Sequence, residues 1–399
     1  MTAGWEARTL GEVCRVIGGG TPSKSNKAFY TGTIPWATVR DMRSDIIEDT
    51  EFRITDEAVR NSSTNVVPAN NVVIASRVGL GKVSMLQHDT AINQDLRAII
   101  PISASELDAR FLFWWFKSIA GHIVASGTGA TVQGVTLPFI RSLVIPLATL
   151  PEQHRIVRIL DETFAGIATA KAHAEKNLHN ARALFESHLN EVFTRRGEGW
   201  VERRLSDLCE RITKGSSPKW QGIAYFDEPG ILFITSENVG DCEINLGRPK
   251  YVDEKFNVKD RKSILRKGDV LTNIVGASIG RTAIYDKEDT ANINQAVCLI
   301  RCEPRLLSNR FLMYLLNSPI FKRVLHDNEV NNARANLSLG FFSQLQVPTP
   351  PIQQQEELVK TCDALREKVQ SLGSVYRRKL TALDALKKSI LHQAFNGGL

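Results

Sequence analysis

Leu150-Pro151-Glu152-Gln153-His154-Arg155-Ile156-Val157 opens a run to Arg195 in which no proline follows Pro151 and Gly166 is the only glycine. A proline followed by an acidic residue suits the first turn of a helix. Val157, Leu160, Phe164, Ile167, Ala174, Leu178, Ala181, Phe185 and Val192 then recur at alternating steps of three and four, and Lys171 and His188 occupy the doubled gaps. The pattern returns after Pro350-Pro351-Ile352-Gln353, with Cys362, Leu365, Val369, Leu372, Tyr376, Leu383, Leu386 and Ile390. An apolar period of 3.5 held this long predicts a coiled-coil seam. The seam candidates are Leu160, Phe164, Ile167, Leu178 and Phe185 in the first run, and Val369, Leu372, Tyr376, Leu383 and Ile390 in the second. At about 1.5 Å per residue each helix would be on the order of 65 Å long. That exceeds the interior of one small domain and reads as a spacer. The alternative is two ordinary amphipathic helices, each packed on its own domain.

The rest of the chain repeats around these runs. Trp5, Leu10, Cys14 and Ile17 are answered by Trp200, Leu205, Cys209 and Ile212. The Gly18-Gly19-Gly20-Thr21-Pro22-Ser23-Lys24 stretch is matched more loosely by Thr213-Lys214-Gly215-Ser216-Ser217-Pro218-Lys219, and Ile92-Asn93-Gln94 returns as Ile293-Asn294-Gln295. Phe111 to Phe116 and Phe311 to Leu316 read as matching short apolar helices. Short β-branched runs separated by Gly, Asn and Ser clusters predict mixed, loop-rich domains. The expected plan is an α/β (mixed α+β) globular domain over 1–150, a long helix over 151–197, a second globular domain over 198–349 and a second long helix over 350–399. As a tandem repeat this predicts a pseudo-twofold, each helix burying its seam against the other in an antiparallel coiled coil.

A chain of 399 residues, 43% hydrophobic and 23% charged, is ordinary for globular domains with real cores. No apolar run is long enough to cross a bilayer, and the start lacks the charged-then-apolar form of a signal peptide, so a cytoplasmic protein without membrane contact is expected. The six cysteines are scattered without a CxxC pair, and Cys14 and Cys209 read as buried thiols rather than zinc ligands. A net charge of +7 favours an anionic partner, nucleic acid first.

Base edges and phosphates are met by polar loops on a fixed scaffold. In the first half the candidates are Gly19, Gly20, Thr21, Ser23 and Lys24, then Arg40 after the Trp36 strand, Arg77 and Lys82 around Gly79 and Gly81, and Thr128 and Thr131. In the second half they are Lys214, Ser217, Lys219, Glu237, Asn238, Asn273, Arg281, Asn332, Arg334 and Asn336. An arginine pairs two-pronged with guanine and an asparagine with adenine. A surface turn is the alternative for each. Asn93-Gln94 and Asn294-Gln295 are identical in both halves and read as scaffold, since residues that read different bases should diverge. Trp36, Phe233, Trp114 and Trp115 lie in apolar patterns and read as core.

Catalytic patterns do not complete. Gly79-Leu80-Gly81-Lys82 has Ser76 where a P-loop needs its first glycine, and Gly127-Thr128-Gly129 has Val132 where a dinucleotide fingerprint needs its third. The sequence has no Asx-Pro-Pro-aromatic tetrapeptide and no Pro-Asp dipeptide, and its eight histidines form no metal-ligand spacing.

With these features in place the chain resembles the specificity (S) subunits of type I restriction–modification systems. The likeness rests on Trp5 to Val13, on Gly18 to Ser23, on Leu150 to Val157, and on Leu386-Lys387-Lys388-Ser389-Ile390-Leu391-His392-Gln393-Ala394-Phe395. It spans the whole chain in the order globular, helix, globular, helix. The resemblance implies two target recognition domains, each reading one half of a split double-stranded DNA site. It also implies a coiled coil that sets the gap and docks two methyltransferase (M) subunits. Those partners would bring S-adenosylmethionine, and restriction (R) subunits would bring ATP- and Mg-dependent translocation and cleavage, leaving this chain non-catalytic and without a cofactor. Two departures stand out. A glutamine replaces the usual glutamate in Pro351-Ile352-Gln353-Gln354-Gln355, and the glycine loop at Thr213 to Lys219 is degenerate. A standalone nuclease with an unfamiliar site and a protein-binding scaffold with no DNA role are the other readings.

Overall fold

The computed structural model describes residues 5–129, 133–226, 230–331 and 335–399. It divides into two compact units, one of Met1–Ala174 with Arg378–Leu399 and the other of Glu175–Arg377, so each division falls inside a long helix.

In the first unit six strands carry the fold: β1 (Cys14–Gly18), β2 (Ile34–Ala37), β3 (Val72–Ala75), β4 (Val83–Leu86), β5 (Thr90–Ile92) and β6 (Leu96–Pro101). One sheet has the order β1-β6-β3-β4, with Ile46–Ile47 added at its edge. A second places β2 and β5 side by side and parallel, Trp36 opposite Ala91, between the short strands Phe52–Ile54 and Asn65–Val67. The alternation of strand side chains decides what packs where. Val72 and Ile74 of β3 face a core built with α1 (Ala109–Ser118), whereas Val73 and Ala75 face the second sheet through Ala37, Val67 and Ile92. Every residue from Phe111 to Phe116 is buried, which an all-round apolar helix requires. Glu6–Thr9 pairs antiparallel with Val144–Leu147 and ties the start of the globular part to its end, just before the long helix α2 (Leu150–Arg195).

The second unit repeats this plan with β7 (Cys209–Lys214), β8 (Ile231–Ile234), β9 (Val270–Asn273), β10 (Thr282–Ile284), β11 (Ala291–Ile293) and β12 (Val297–Cys302). Its main sheet is β7-β12-β9-β10, β8 and β11 again run parallel, and Val201–Arg204 pairs with Gln346–Thr349. The buried helix α3 (Asn309–Asn317) corresponds to α1, and the chain ends in α4 (Ile352–Phe395).

One glutamine fixes each long helix to its globular part. Gln153 is 0% exposed; its Oε1 accepts from the Asp108 N–H (2.9 Å), and its Nε2 donates to the carbonyls of Glu106 (2.7 Å) and Ala148 (2.8 Å). Gln355 does the same with the Ser308 N–H and the carbonyls of Leu306 and Pro350. The structural partner of Gln153 is therefore Gln355, two residues beyond the match that aligning Pro151 with Pro351 suggests. About two turns further along α2, Asp161 accepts from Trp114 Nε1 (2.8 Å) and Arg110 (2.9 Å). In α4 Asp363 accepts from Arg310 (2.6 Å) and from the Tyr314 hydroxyl, whose pKa is raised by burial and by that carboxylate.

Within each unit α2 and α4 pack antiparallel. In the first unit Arg155 donates to the Leu399 carbonyl, Lys387 lies 5.0 Å from the Phe164 ring centroid, and Lys171 pairs with Asp384 at 2.8 Å. Leu160, Phe164 and Ile167 are buried there, with Leu383 and Ile390 packed beside them. In the second unit Leu178, Phe185, Val369 and Tyr376 are partly buried. Leu372 departs from expectation: it is 45% exposed, and Gly373 takes the inward place, where an added Cβ would lie 3.5 Å from Leu178 Cδ1. The strict step of three or four residues allowed either position, and the packing chose the smaller. Cys14 is buried as expected, its thiol pushed up to about 12 by desolvation, while Cys209 is only partly covered.

Two substitutions separate these effects. Gln153→Ala strands three backbone groups and is expected to lower the unfolding free energy by roughly 1–3 kcal/mol for each group left unpaired. Gly373→Ala meets ordinary contact distances and is expected to raise it by about 0.5–1 kcal/mol through helix propensity. Urea unfolding of both variants checks the two signs; a neutral Gln153→Ala would contradict the locking role.

Candidate nucleic-acid interface

The loop after β1 crosses directly over the end of β5. Gly20 N–H donates to the Ile92 carbonyl (3.1 Å), and a Cβ on Gly19 would stand 2.1 Å from that oxygen. A Cβ on Gly20 would meet Ser63 Oγ at 2.2 Å. Both glycines are thus set by close backbone approach; Gly20 is buried with its N–H committed, which corrects its assignment as a DNA contact chosen for an exposed N–H, whereas Gly19 is half-buried. The second unit keeps the one glycine that this crossing needs: a Cβ on Gly215 would lie 1.7 Å from the Ile293 carbonyl. The remainder of that loop is free to differ, which accounts for its degenerate sequence.

Beyond the crossing, loops far apart in sequence are stitched together at one edge of the first unit. The Thr21 hydroxyl donates to Gln94 Oε1. Asn93, buried, donates to Asp95 and accepts from the Asp95 N–H, closing the turn between β5 and β6. Arg77 pairs with the same Asp95 (3.7 Å), and Lys82 Nζ donates to the Val39 carbonyl (3.3 Å). Gly79 and Gly81 hold positive φ in the turn from β3 to β4, and Thr128 pairs through its backbone with Gly134, beside Ser76 and Arg77. Ser23, Lys24, Arg40, Arg77, Lys82 and Thr128 are exposed, and Thr21 is half-buried. Arg40 reaches Glu51 at 3.6 Å yet keeps 76% of its side chain in solvent. Thr131 lies outside the described residues.

In the second unit Lys214, Lys219, Glu237 and Arg281 are exposed, and Ser217 and Asn336 are half-buried. Lys250 pairs with Glu237 (2.8 Å) and holds its carboxyl below the usual range. Asn332 and Arg334 lie outside the described residues. Two candidates are corrected. Asn238 is buried, its Oδ1 accepting from the N–H and hydroxyl of Thr235 and its Nδ2 donating to the Asn245 carbonyl. Asn273 is 0% exposed and donates to the carbonyls of Ser236 and Val239. An amide whose donors are committed inside cannot present a two-pronged edge to adenine. Asn238 instead repeats a turn of the first unit, where Asp41 accepts from the N–H and hydroxyl of Thr38.

The stitched edge also holds a pocket of 620 Å³, bordered by Thr21, Lys24, Tyr30, Trp36, Arg40 and Gln94, among others. Of these, Tyr30, Trp36 and Gln94 were not expected at a binding surface from the sequence. It also passed over Trp220, which stands 84% exposed beside Lys219 on the second unit's loop. The signal was present: Ser217-Pro218-Lys219-Trp220 puts an aromatic in a turn sequence rather than in an apolar alternation.

Among the described residues no group of three or more His, Cys, Asp or Glu side chains is arranged to hold a metal ion, and no helix is long and apolar enough to cross a membrane. Comparison with known proteins gives consistent results. The chain is 36% identical over 164 residues to the Escherichia coli type I restriction enzyme EcoR124I/EcoR124II specificity subunit, a match covering 39% of this chain and 40% of that one. It is 25% identical to the Escherichia coli EcoBI specificity subunit, over 75% of this chain and 68% of the other. To the MjaVIII specificity subunit of Methanocaldococcus jannaschii it is 20% identical, over 98% and 92%. In fold it is similar to a chain of a type I R-M system whose structure concerns complex assembly and conformational transition (TM-score 0.82, 20% identity, 100% and 99% covered). It is also similar to the HsdS subunit from Thermoanaerobacter tengcongensis (TM-score 0.62, 20% identity, 100% and 98% covered). Residues 2–178 and 197–372 each match the type I restriction modification DNA specificity domain, and the chain, carrying that domain twice, belongs to this family.

Proposed function

We propose that this chain is the non-catalytic DNA-recognition subunit of a type I restriction–modification complex. Residues 1–150 and 198–349 each read one half of a bipartite, asymmetric double-stranded site. The helices over 151–197 and 350–399 set the gap between the halves and dock two M subunits, which carry S-adenosylmethionine and transfer its methyl group to adenine. R subunits add the ATP- and Mg-dependent steps, and the complex works in the cytoplasm. The observation that carries the reading is the gathering of Thr21, Arg77, Lys82 and Gln94 at one edge of the first unit, where cations and amide groups stand on a rigid sheet. The net charge of +7 supports an anionic partner.

The remaining contact candidates are Gly19, Thr21, Ser23, Lys24, Arg40, Arg77, Lys82, Thr128 and Thr131 in the first half, and Lys214, Ser217, Lys219, Glu237, Arg281, Asn332, Arg334 and Asn336 in the second. A carboxylate at Glu237 suits a cytosine amino group, and an arginine at Arg40 suits guanine.

Reconstitution with and without M subunits tests the assignment. The chain alone is expected to leave DNA unmodified, with site-specific adenine methylation appearing when M subunits and S-adenosylmethionine are added. Methylation or cleavage by the purified chain alone would overturn it. Binding titrations of two variants test the residue assignments. Arg40→Ala is expected to cost about 1–3 kcal/mol on the preferred site and to relax one base position. Asn238→Ala is expected to lower thermal stability while leaving base preference unchanged. A uniform loss across DNA sequences for Arg40→Ala would instead mark a phosphate contact.

A further inference from the structure

The pocket at the stitched edge is concave, and duplex DNA presents its base edges inside grooves, where protruding side chains meet them. A cavity of 620 Å³ lies instead in the range that encloses a small ligand. One wall is aromatic. Trp36 stands edge-on to Tyr30 (5.9 Å between ring centroids) and to Phe52 (6.3 Å), and Phe52 is 40% exposed. These rings are pinned from behind, Trp36 Nε1 donating to the Gly20 carbonyl (3.1 Å) and the Tyr30 hydroxyl to the Pro22 carbonyl (2.7 Å). Their polar atoms are thereby committed, and what they offer the cavity is ring surface. The lining is also polar: Gln94 bridges the Thr21 hydroxyl and the Asp95 carboxylate. Lys24 and Lys27, which also border the cavity, are exposed and make no ion pair among the described residues.

Aromatic rings, an amide, a carboxylate and cations without an ion pair, all lining one cavity, match the needs of one unpaired nucleotide. Its base stacks on rings, its Watson–Crick edge meets fixed donors and acceptors, and its phosphates meet cations. We propose that this pocket takes a single nucleotide swung out of the bound DNA, the base against Phe52 and Tyr30 and the flanking phosphates at Lys24 and Lys27. The inference rests on the proposed DNA reading and adds to it a base recognised outside the duplex.

Unpairing has an energetic signature, because a base with no proper partner is easier to extrude. The test uses the chain assembled with M subunits and a series of site duplexes, each carrying one mismatch or one abasic residue opposite a single base. One position in the first half-site, separate from the adenine that is methylated, is expected to bind at least tenfold more tightly when its partner is lost. Phe52→Ala and Lys24→Ala/Lys27→Ala should abolish that gain while leaving preference in the other half-site intact, which also shows that the variants are folded. Weaker or unchanged binding for every mismatch, or a gain that survives both variants, would overturn the proposal. So would calorimetric binding of free mononucleotides to the wild-type complex without any mismatch gain. Failure of the wild-type complex to prefer its site over unrelated DNA would instead defeat the recognition reading on which the proposal stands.

Discussion

A buried glutamine at the root of each long helix is the constraint on which the rest depends. A side-chain amide can donate twice and accept up to twice at fixed angles. Gln153 and Gln355 each spend both donors and one acceptor site on backbone groups that no strand or helix satisfies. The bonds join the segment before the buried apolar helix to the last residues before the long one. With Asp161 and Asp363 adding a second attachment along each helix, the direction in which the helix leaves its globular part is set by two polar anchors rather than by apolar contact alone. Polar anchors of this kind are directional, and an apolar interface by itself tolerates sliding.

That fixed exit gives the sheets their role. The main sheet in each unit is covered on both faces, by helices on one side and by the second sheet on the other, so its loops are held from beneath. Loops that would otherwise move independently are then tied by a few side-chain bonds at one edge. The same crossing of the first loop over Ile92 or Ile293 occurs in both units, with one glycine retained for it. What varies between the units is what projects beyond that crossing: Ser23 and Lys24 in one, Lys219 and Trp220 in the other. A shared scaffold with unlike tips is what two different half-sites demand.

Much of this was legible in the residues. The repeat, the two long helices and the scaffold role of Asn93 follow from spacing and identity, because packing and turn geometry impose periodicities that a sequence retains. The inward place of Gly373 was not legible, since Leu372 fits the same step and only the partner helix distinguishes them. Asn238 and Asn273 looked like adenine readers because an asparagine in a polar loop has the right donors. Their burial, and the backbone groups that consume those donors, are tertiary facts. The pocket escaped for a related reason: Tyr30, Phe52 and Gln94 are far apart in the chain and meet only after folding. For Gly373, Asn273 and the pocket the missing information was a long-range contact, and for Asn238 it was the burial of a turn whose own bonds to Thr235 and Asn245 are local.

Two unlike readers carried on one chain act as a single two-part specificity. Sequencing modified adenines in DNA from cells that express this chain with its methyltransferase partner tests that claim most directly. The expected result is one motif made of two short defined parts, different from each other and separated by a constant number of unspecified base pairs. A single continuous motif, or two parts at a variable separation, would contradict it.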